Sequence, residues 1–340
     1  MRNILAEECS KDQSARAERA KTLEDHIKTK SDMIKPPKKR IIVVVGPTAS
    51  GKTAVAVEIA RALDGEVISA DSMQIYRHMD VGTAKPTTAE RKGIPHHLLD
   101  FVQPDEEYSA SRFQKDAFHA IEDIIGRGKQ PIIAGGTGLY INAITYALDF
   151  SGGKRDTRLG KKLEELYDKK GADYMHRALT RKSPVAASKV HKNNKVRVVR
   201  QLELAIRGEN RQYEFDQPNN LYDFKIIGLT KARPVLYNDI EQRVDQMVKN
   251  GLVEEAYKIY TQFPNCQAAA KAIGYKELFQ YFKGDMTLDE AIDQLKQNTR
   301  RFAKRQLTWF SRDQRIFWFD LSQYPQTSRC IADIIRYCSQ

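Results

Sequence analysis

An eight-residue stretch, GPTASGKT, contains the first residue types in this chain that point to chemistry. It comprises Gly46, Pro47, Thr48, Ala49, Ser50, Gly51, Lys52 and Thr53. The pattern G-x4-G-K-T between a strand and a helix is that of a P-loop, in which backbone N–H groups and the helix N-terminus face a phosphate. Lys52 would add a positive charge, and the Thr53 hydroxyl would ligate Mg²⁺. A simple glycine turn is the alternative, and the flanking strand and helix patterns disfavour it.

The P-loop pattern leaves open which phosphate compound is bound. An ATPase or GTPase normally has a second strand that ends in an aspartate, which holds the metal. Here the apolar stretch PIIAGG (131–136) ends in two glycines and is followed by Thr137. This difference weakens the hypothesis of a nucleotide hydrolase.

Asp71, in the stretch SADSMQIY, is a carboxylate that follows a short predicted strand. Ligands of open α/β sheets bind at the carboxyl ends of the strands. Opposite the P-loop, Asp71 could accept a proton from an attacking nucleophile. Holding a metal through a bound water, or capping a helix, is equally compatible with the sequence.

The elements that would position these groups alternate between strand and helix. Apolar β-branched runs predict strands, and apolar residues at helical spacing predict helices. The predicted strands cover 41–45, 66–70, 96–102, 131–136, 224–229 and 316–320, and helices are predicted at 53–63, 109–128 and 139–148. The alternation predicts an α/β fold, with a P-loop NTPase-like parallel sheet as its core.

The predicted secondary structure and the charge of the sequence change in the middle of the chain. Between Thr157 and Gly208 no strand is predicted, only short basic helices, one of which starts at Ser183-Pro184. A long helix is predicted at 287–310, with Thr287 and Glu290 as a capping box. We therefore divide the chain into a polar N-terminal tail (1–38), a P-loop core (39–150), a helical insertion domain (151–215), a continuation of the core with basic C-terminal helices (216–325) and a C-terminal tail helix (326–340).

Composition restricts the class of protein. No apolar run approaches the roughly 18 residues that a membrane helix needs, so we expect no membrane partner. The four cysteines lie far apart, which indicates neither a disulfide framework nor a zinc site. The N-terminal tail contains many acidic residues, and this argues against an organelle-targeting leader. A cytoplasmic monomer is the expectation.

The net charge of +12 would attract a polyanion, although a merely soluble basic protein is also compatible with it. Four basic residues of the long C-terminal helix recur at three- and four-residue spacing, beside Phe302, Trp309 and Phe310. They are Arg300, Arg301, Lys304 and Arg305. Such a stripe favours contact with nucleic-acid phosphates, and a solvated helix face with the aromatic rings in the core is the alternative.

Seven longer motifs together resemble one family. GPTASGKT, ISADSMQIYRHMDVGTAKPT, HHLLDF, AGGTGLYINAI, VRVVRQLE, AIGYKEL and TRRFAKRQLTWF occur in the order and spacing of the bacterial tRNA dimethylallyltransferases, also called tRNA isopentenyltransferases. The resemblance covers about residues 40 to 320. It implies that the P-loop holds dimethylallyl diphosphate and not ATP, and that the prenyl group passes to N6 of an adenosine beside the tRNA anticodon.

The resemblance also implies roles for individual residues. Asp71 would be the general base on N6, and Thr48 would lie near the bridging oxygen of the diphosphate. Lys52 and Thr53 would bind diphosphate and Mg²⁺, and Arg233 would reach the departing pyrophosphate. The residues with implied or candidate contacts to tRNA are Asp71, Ser72, Met73, Gln74, Thr137, Arg158, Arg197, Arg200, Arg301, Lys304 and Arg305.

Three other functions compete with this one. A small-molecule P-loop kinase would use Asp71 as base on a hydroxyl group. An adenylate isopentenyltransferase would prenylate free AMP or ADP, but the basic helix and the long insertion favour tRNA. A tRNA-binding protein without catalytic activity would contain a vestigial P-loop.

Overall fold

A computed structural model describes residues 38–148, 150, 156–209 and 217–340. The predicted N-terminal tail, apart from Lys38, lies outside these ranges, and so does 151–155, where the insertion was predicted to begin. The residues from Arg40 to Gln340 form one compact unit. The predicted division of that unit into core and insertion remains an interpretation.

The core is a six-stranded sheet in which every strand pair is parallel. Its order is β3-β2-β4-β1-β5-β6, and its neighbouring strands pair in parallel register. The strands are β1 (Arg40–Val45), β2 (Gly65–Ser69), β3 (His96–His97), β4 (Gln130–Gly135), β5 (Asp223–Thr230) and β6 (Phe317–Asp320). The predicted α/β class with a parallel sheet is therefore confirmed.

Thirteen helices are present in the described ranges. The first four, which connect the early strands, are α1 (Lys52–Ala62), α2 (Thr88–Arg91), α3 (Ala110–Gly126) and α4 (Gly138–Thr145). The middle four are α5 (Thr157–Lys170), α6 (Ala172–Lys182), α7 (Pro184–Ser188) and α8 (Lys195–Ile206). The last five are α9 (Arg233–Lys249), α10 (Leu252–Gln262), α11 (Tyr275–Phe282), α12 (Leu288–Phe310) and α13 (Thr327–Ser339).

Alternating side chains of β1 bury the two faces of the sheet. Ile42 and Val44 pack with α1 and α13 on one face, while Ile41, Val43 and Val45 pack with α3, α4 and the end of α12 on the other. Helices α5 to α8 bury a separate apolar cluster among themselves. The predicted caps are confirmed, because Ser183 caps α7 before Pro184 and Thr287 forms a capping box with Glu290.

Two predicted elements are too long. The strand predicted at 96–102 extends only over His96–His97, because Leu98 and Asp100 adopt positive φ angles of 55° and 59°, which a strand does not accommodate. The helix predicted at 139–148 ends at Thr145, because Tyr146 turns into extended backbone and pairs with Pro218. Apolar patterning did not reveal either stop.

Candidate active site

The P-loop joins the end of β1 to the start of α1 and encloses the N-terminus of that helix. Gly51 adopts φ 85° as the residue before α1, a conformation that glycine adopts without strain. A Cβ atom on Gly46 would lie 2.5 Å from the carbonyl oxygen of Leu229 at the end of β5. Both glycines of the pattern are therefore required by the backbone, one for its conformation and one for close packing.

Lys52 lies among charged groups at the first turn of α1. Its Nζ donates a hydrogen bond to the carbonyl oxygen of Pro47 at 2.6 Å. Burial and the positive charge of Arg243 lower the pKa of Lys52 to about 7, and the negative charge of Asp71 partly opposes them. The P-loop lysine and the aspartate after β2 thus belong to one electrostatic site, and a bound diphosphate would keep the ammonium group charged.

Asp71 is held by the turn that follows β2. Its Oδ1 accepts hydrogen bonds from the backbone N–H groups of Met73 at 2.9 Å and Gln74 at 3.4 Å. Within the described residues Oδ2 accepts none. The capping and catalytic interpretations are therefore compatible, because one carboxylate oxygen orients the group and the other stays available to a substrate.

Thr137, at the start of α4, is tied to the same turn. Its hydroxyl oxygen accepts a hydrogen bond from the backbone N–H of Ser72 at 3.0 Å, and it lies 3.2 Å from the Ser72 hydroxyl oxygen. The structure thus brings Asp71, Ser72 and Thr137 together although they lie on two chain segments.

In the DSMQ motif (residues 71–74), the other two side chains, those of Met73 and Gln74, contact other parts of the protein. Gln74 donates from Nε2 to the carbonyl oxygens of Thr83 and Ala84, each at 3.1 Å. Met73 packs against the apolar cluster formed by the C-terminal helices. Their predicted contact with tRNA stays a prediction, and both side chains already stabilise the turn that carries Asp71.

Helix α9 packs against the P-loop and supplies two arginines. Arg233, its first residue, donates from Nε to the Tyr237 hydroxyl at 3.1 Å, and the Tyr237 ring packs in a cluster that includes Ala49 of the P-loop. Burial lowers the pKa of Arg243, and the negative charges of Glu90 and Asp71 partly offset this effect. In the part of the chain that the structure describes, Arg243 has no hydrogen bond or ion pair, so its guanidinium group is available to an anion.

Two residues of the site were not predicted from the sequence. Arg243 lies beside the apolar face of α9 that contains Leu236, Ile240 and Val244, and an arginine next to such a face was the available signal. Gln306 is a buried polar residue between Ala303 and Phe310 on the apolar face of α12. Gln306 hydrogen-bonds to the P-loop.

The predicted tRNA contacts of the middle helices lie on α5 and α8. Arg158 and Arg197 are exposed and form no side-chain hydrogen bond or ion pair within the described ranges. Arg200 instead pairs with the buried carboxylate of Glu203 at 2.8 Å. In this arrangement Arg200 neutralises a buried acid, which competes with binding a phosphate.

The basic stripe of α12 is divided between two roles. Arg301, Lys304 and Arg305 are exposed, and Arg305 lies over the ring of Phe302 at 5.6 Å. Arg300 forms an ion pair with Glu241 of α9. This member of the stripe therefore joins two packed helices, and its charge is shared with an acid.

Thr53 fits the role of a Mg²⁺ ligand. The hydroxyl group of Thr53 makes no hydrogen bond within the described residues, although it lies in the first turn of α1. Those residues contain no group of three or more His, Cys, Asp or Glu side chains that could together hold a metal ion. Mg²⁺ needs no such cluster, because it commonly binds through one or two protein oxygens together with substrate phosphates.

The parallel sheet, the P-loop and the aspartate at the strand ends define an α/β protein of the P-loop class. Comparison with known proteins makes this more specific. The family model described as IPP transferase matches residues 74–313. The chain belongs to this family.

Relatives and solved structures agree with the family. A tRNA dimethylallyltransferase of Acetivibrio thermocellus is 44% identical over 302 residues, which are 87% of this chain and 96% of that protein. The crystal structure of the tRNA isopentenylpyrophosphate transferase of Bacillus halodurans is 43% identical, with a TM-score of 0.68 over 89% of this chain and 96% of that one. A eukaryotic dimethylallyltransferase acting on tRNA is 31% identical, with a TM-score of 0.73 over 88% of this chain and 80% of that one.

Proposed function

We propose that this protein transfers a dimethylallyl group from dimethylallyl diphosphate to N6 of the adenosine next to the anticodon of tRNA. One observation carries the proposal. Asp71, the candidate base, lies close enough to Lys52 of the P-loop for its charge to act on the lysine's pKa. The candidate base and the P-loop therefore share one site, as displacement of a diphosphate by an amine would require.

In the proposed reaction, a bond forms between N6 and C1 of the allyl group while the bond between C1 and the diphosphate oxygen breaks. The proton of N6 passes to Asp71, and pyrophosphate leaves with the bonding electron pair. The N6 lone pair is delocalised into the ring, so removing the proton during the attack helps. Lys52, Arg233, Arg243 and the N–H groups of the P-loop would neutralise the charge that builds on the leaving group. A Mg²⁺ ion on Thr53 would add positive charge there.

An adenine stacked in an anticodon loop cannot reach such a site, so the base must be flipped out. The segment from Asp71 to Gln74 and Thr137 would surround the flipped base. The exposed basic residues of α5, α8 and α12 would bind the backbone phosphates, which position a nucleic acid without reading its sequence. They are Arg158, Arg197, Arg301, Lys304 and Arg305.

The test is incubation of the protein with dimethylallyl diphosphate and unmodified tRNA, followed by mass spectrometry of the nucleosides. Isopentenyladenosine at the position next to the anticodon is the expected product. AMP and ADP as acceptors test for an adenylate isopentenyltransferase, and ATP with a panel of metabolites tests for a kinase. Transfer of a γ-phosphate without prenylated adenosine would contradict the proposal.

The proposed function also leads to a proposal for the cellular location and the oligomeric state of the protein. Across the described ranges, no helix combines the length and the apolar character that crossing a membrane requires. We place the enzyme in the cytoplasm, where its tRNA substrate is, and expect it to act as a monomer. Size-exclusion chromatography with light scattering would test the oligomeric state.

A further inference from the structure

Gln306 joins two parts of the site that are distant in sequence. Its side chain is buried, with 5% exposure, on the face of α12 that packs over the end of the sheet. Its Oε1 accepts a hydrogen bond from the backbone N–H of Thr48 at 2.8 Å, and its Nε2 donates to the carbonyl oxygen of Gly136 at 2.9 Å. A backbone donor at one end and a backbone acceptor at the other permit a single orientation of the amide.

The two partners belong to different halves of the site. Thr48 lies in the P-loop, which would hold the diphosphate. Gly136 precedes Thr137, whose hydroxyl bonds to Ser72 beside Asp71. One side-chain amide therefore connects the diphosphate cradle with the segment that would hold the adenine and the general base.

The contact is tight. A Cβ atom on Gly136 would lie 2.2 Å from the Nε2 of Gln306, so the amide lies directly against the glycine backbone. The Thr48 N–H donates to Gln306, so the threonine hydroxyl is the donor that Thr48 can offer to a substrate.

We propose that Gln306 is a positioning residue that sets the distance between the diphosphate and the attacking N6. The proposal rests on the function given above. Reaction between two bound substrates depends on their alignment, and a misplacement of about 1 Å can cost on the order of 100-fold in rate. Each substrate keeps its own contacts when Gln306 is changed, so binding of either one should change little.

The test compares Gln306→Met, which keeps the length of the side chain without its hydrogen bonds, with Gln294→Met, an exposed glutamine of the same helix. We expect kcat of Gln306→Met to fall by about 100-fold, while the KM values for dimethylallyl diphosphate and tRNA change less than about threefold. Gln306→Glu keeps the acceptor for Thr48 but loses the donor to Gly136, and it should also lower kcat. Unchanged kcat, or a rise in KM alone, would overturn the proposal.

A double-mutant cycle separates positioning from a general loss of structure. Gln306 places the Thr48 hydroxyl by holding the Thr48 backbone N–H, so Gln306→Met should cost less in a Thr48→Ala background, which lacks that hydroxyl, than in the wild type, because coupled residues are not additive. Additive losses in the cycle would overturn the proposal. If Gln306→Met is too unstable for full kinetics, the same cycle with Gln306→Glu decides in the same way.

A wild-type protein that makes no prenylated adenosine would refute the proposed function. A normal wild type with a fully active Gln306→Met would refute only the role of Gln306.

Discussion

At the scale of single residues, the site places the Asp71 carboxylate beside several cations. Asp71 acts electrostatically on Lys52 and on Arg243, and it also contributes to raising the pKa of Tyr140, for which burial is the main cause. A bound diphosphate would provide the negative charge that these cations lack in the free protein. The Asp71 carboxylate and a bound diphosphate would therefore both interact with the same positively charged side chains.

Replacing Asp71 with asparagine tests the role of the carboxylate. The amide oxygen still accepts the hydrogen bonds of the turn, but it is not a base at neutral pH. We expect kcat to fall by about 10²- to 10⁴-fold, while the Kd for tRNA stays within about threefold. Single-turnover prenylation and filter binding measure the two quantities. An Asp71→Asn variant with normal kcat would remove Asp71 from the chemistry.

The pKa of Lys52 predicts how binding of the diphosphate depends on pH. The free protein holds this pKa at about 7, and the anion should raise it, so binding takes up a proton above pH 7. The Kd for dimethylallyl diphosphate should therefore increase above pH 7, by up to about tenfold per pH unit. Calorimetry from pH 6 to 9 would measure this.

Two variants make the pH experiment specific. Lys52→Met should bind weakly at every pH and lose the dependence, since the titrating group is gone. Arg243→Gln removes a charge that lowers the pKa of Lys52, and it should move the onset of the dependence to higher pH. An unchanged profile in Lys52→Met would assign the titration to another group.

At the scale of elements, the C-terminal helices hold the loop that follows the DSMQ motif. Glu255 of α10 accepts hydrogen bonds from the backbone N–H groups of Asp80, Val81 and Gly82, each at 2.8 Å, and from the Tyr275 hydroxyl at 2.6 Å. The next carbonyl groups along this loop hold Gln74. A helix far along the chain thus supports the turn that carries Asp71.

Changing Glu255 to glutamine should weaken this support. The amide has only one oxygen and presents its NH₂ group to backbone donors, so at least one of these hydrogen bonds is lost. We expect the free energy of unfolding to fall by about 1 to 3 kcal/mol, measured by urea denaturation. The control is Glu254→Gln, an exposed neighbour on the same helix. Equal stability of the two variants would show that the Glu255 contacts contribute nothing measurable.

Some elements were predictable from sequence because their determinants are local. The conformations of the P-loop and β1 depend on consecutive residues. The capping box and the apolar periodicity of α12 indicate a long helix. The strand predicted at 96–102 was too long because backbone angles at Leu98 and Asp100 end it, and apolar patterning does not report those angles.

At the scale of the whole molecule, the charge of +12 is distributed over surfaces that differ in their ability to bind phosphates. Arg200 and Arg300 are paired with acids, whereas Arg301 and Lys304 are exposed. Net charge alone would count all four as equal.

Salt dependence of tRNA binding tests this distinction. In a plot of log Kd against log salt concentration, Arg301→Gln with Lys304→Gln should reduce the slope by about 1.5, since each lost phosphate contact contributes about 0.7 to 0.9. Arg329→Gln is the control, because Arg329 is exposed on α13, which packs on the opposite face of the sheet from the end of α12. A slope equal to that of the control would place tRNA on another surface.

The α/β class and the phosphate loop were predictable from the sequence, because short runs of residues specify them through backbone conformation and apolar periodicity. Asp71 stood out as a carboxylate after a predicted strand, but its role as a base followed from the family resemblance and stays a prediction. The positions of Arg243, Gln306 and Glu255 were not predictable in this way. Gln306 contacts Thr48 across 258 residues of sequence, and no local pattern reports which distant segments a helix will meet. Only packing of the C-terminal helices over the end of the sheet brings these side chains to the site, where burial and neighbouring charges set their chemistry.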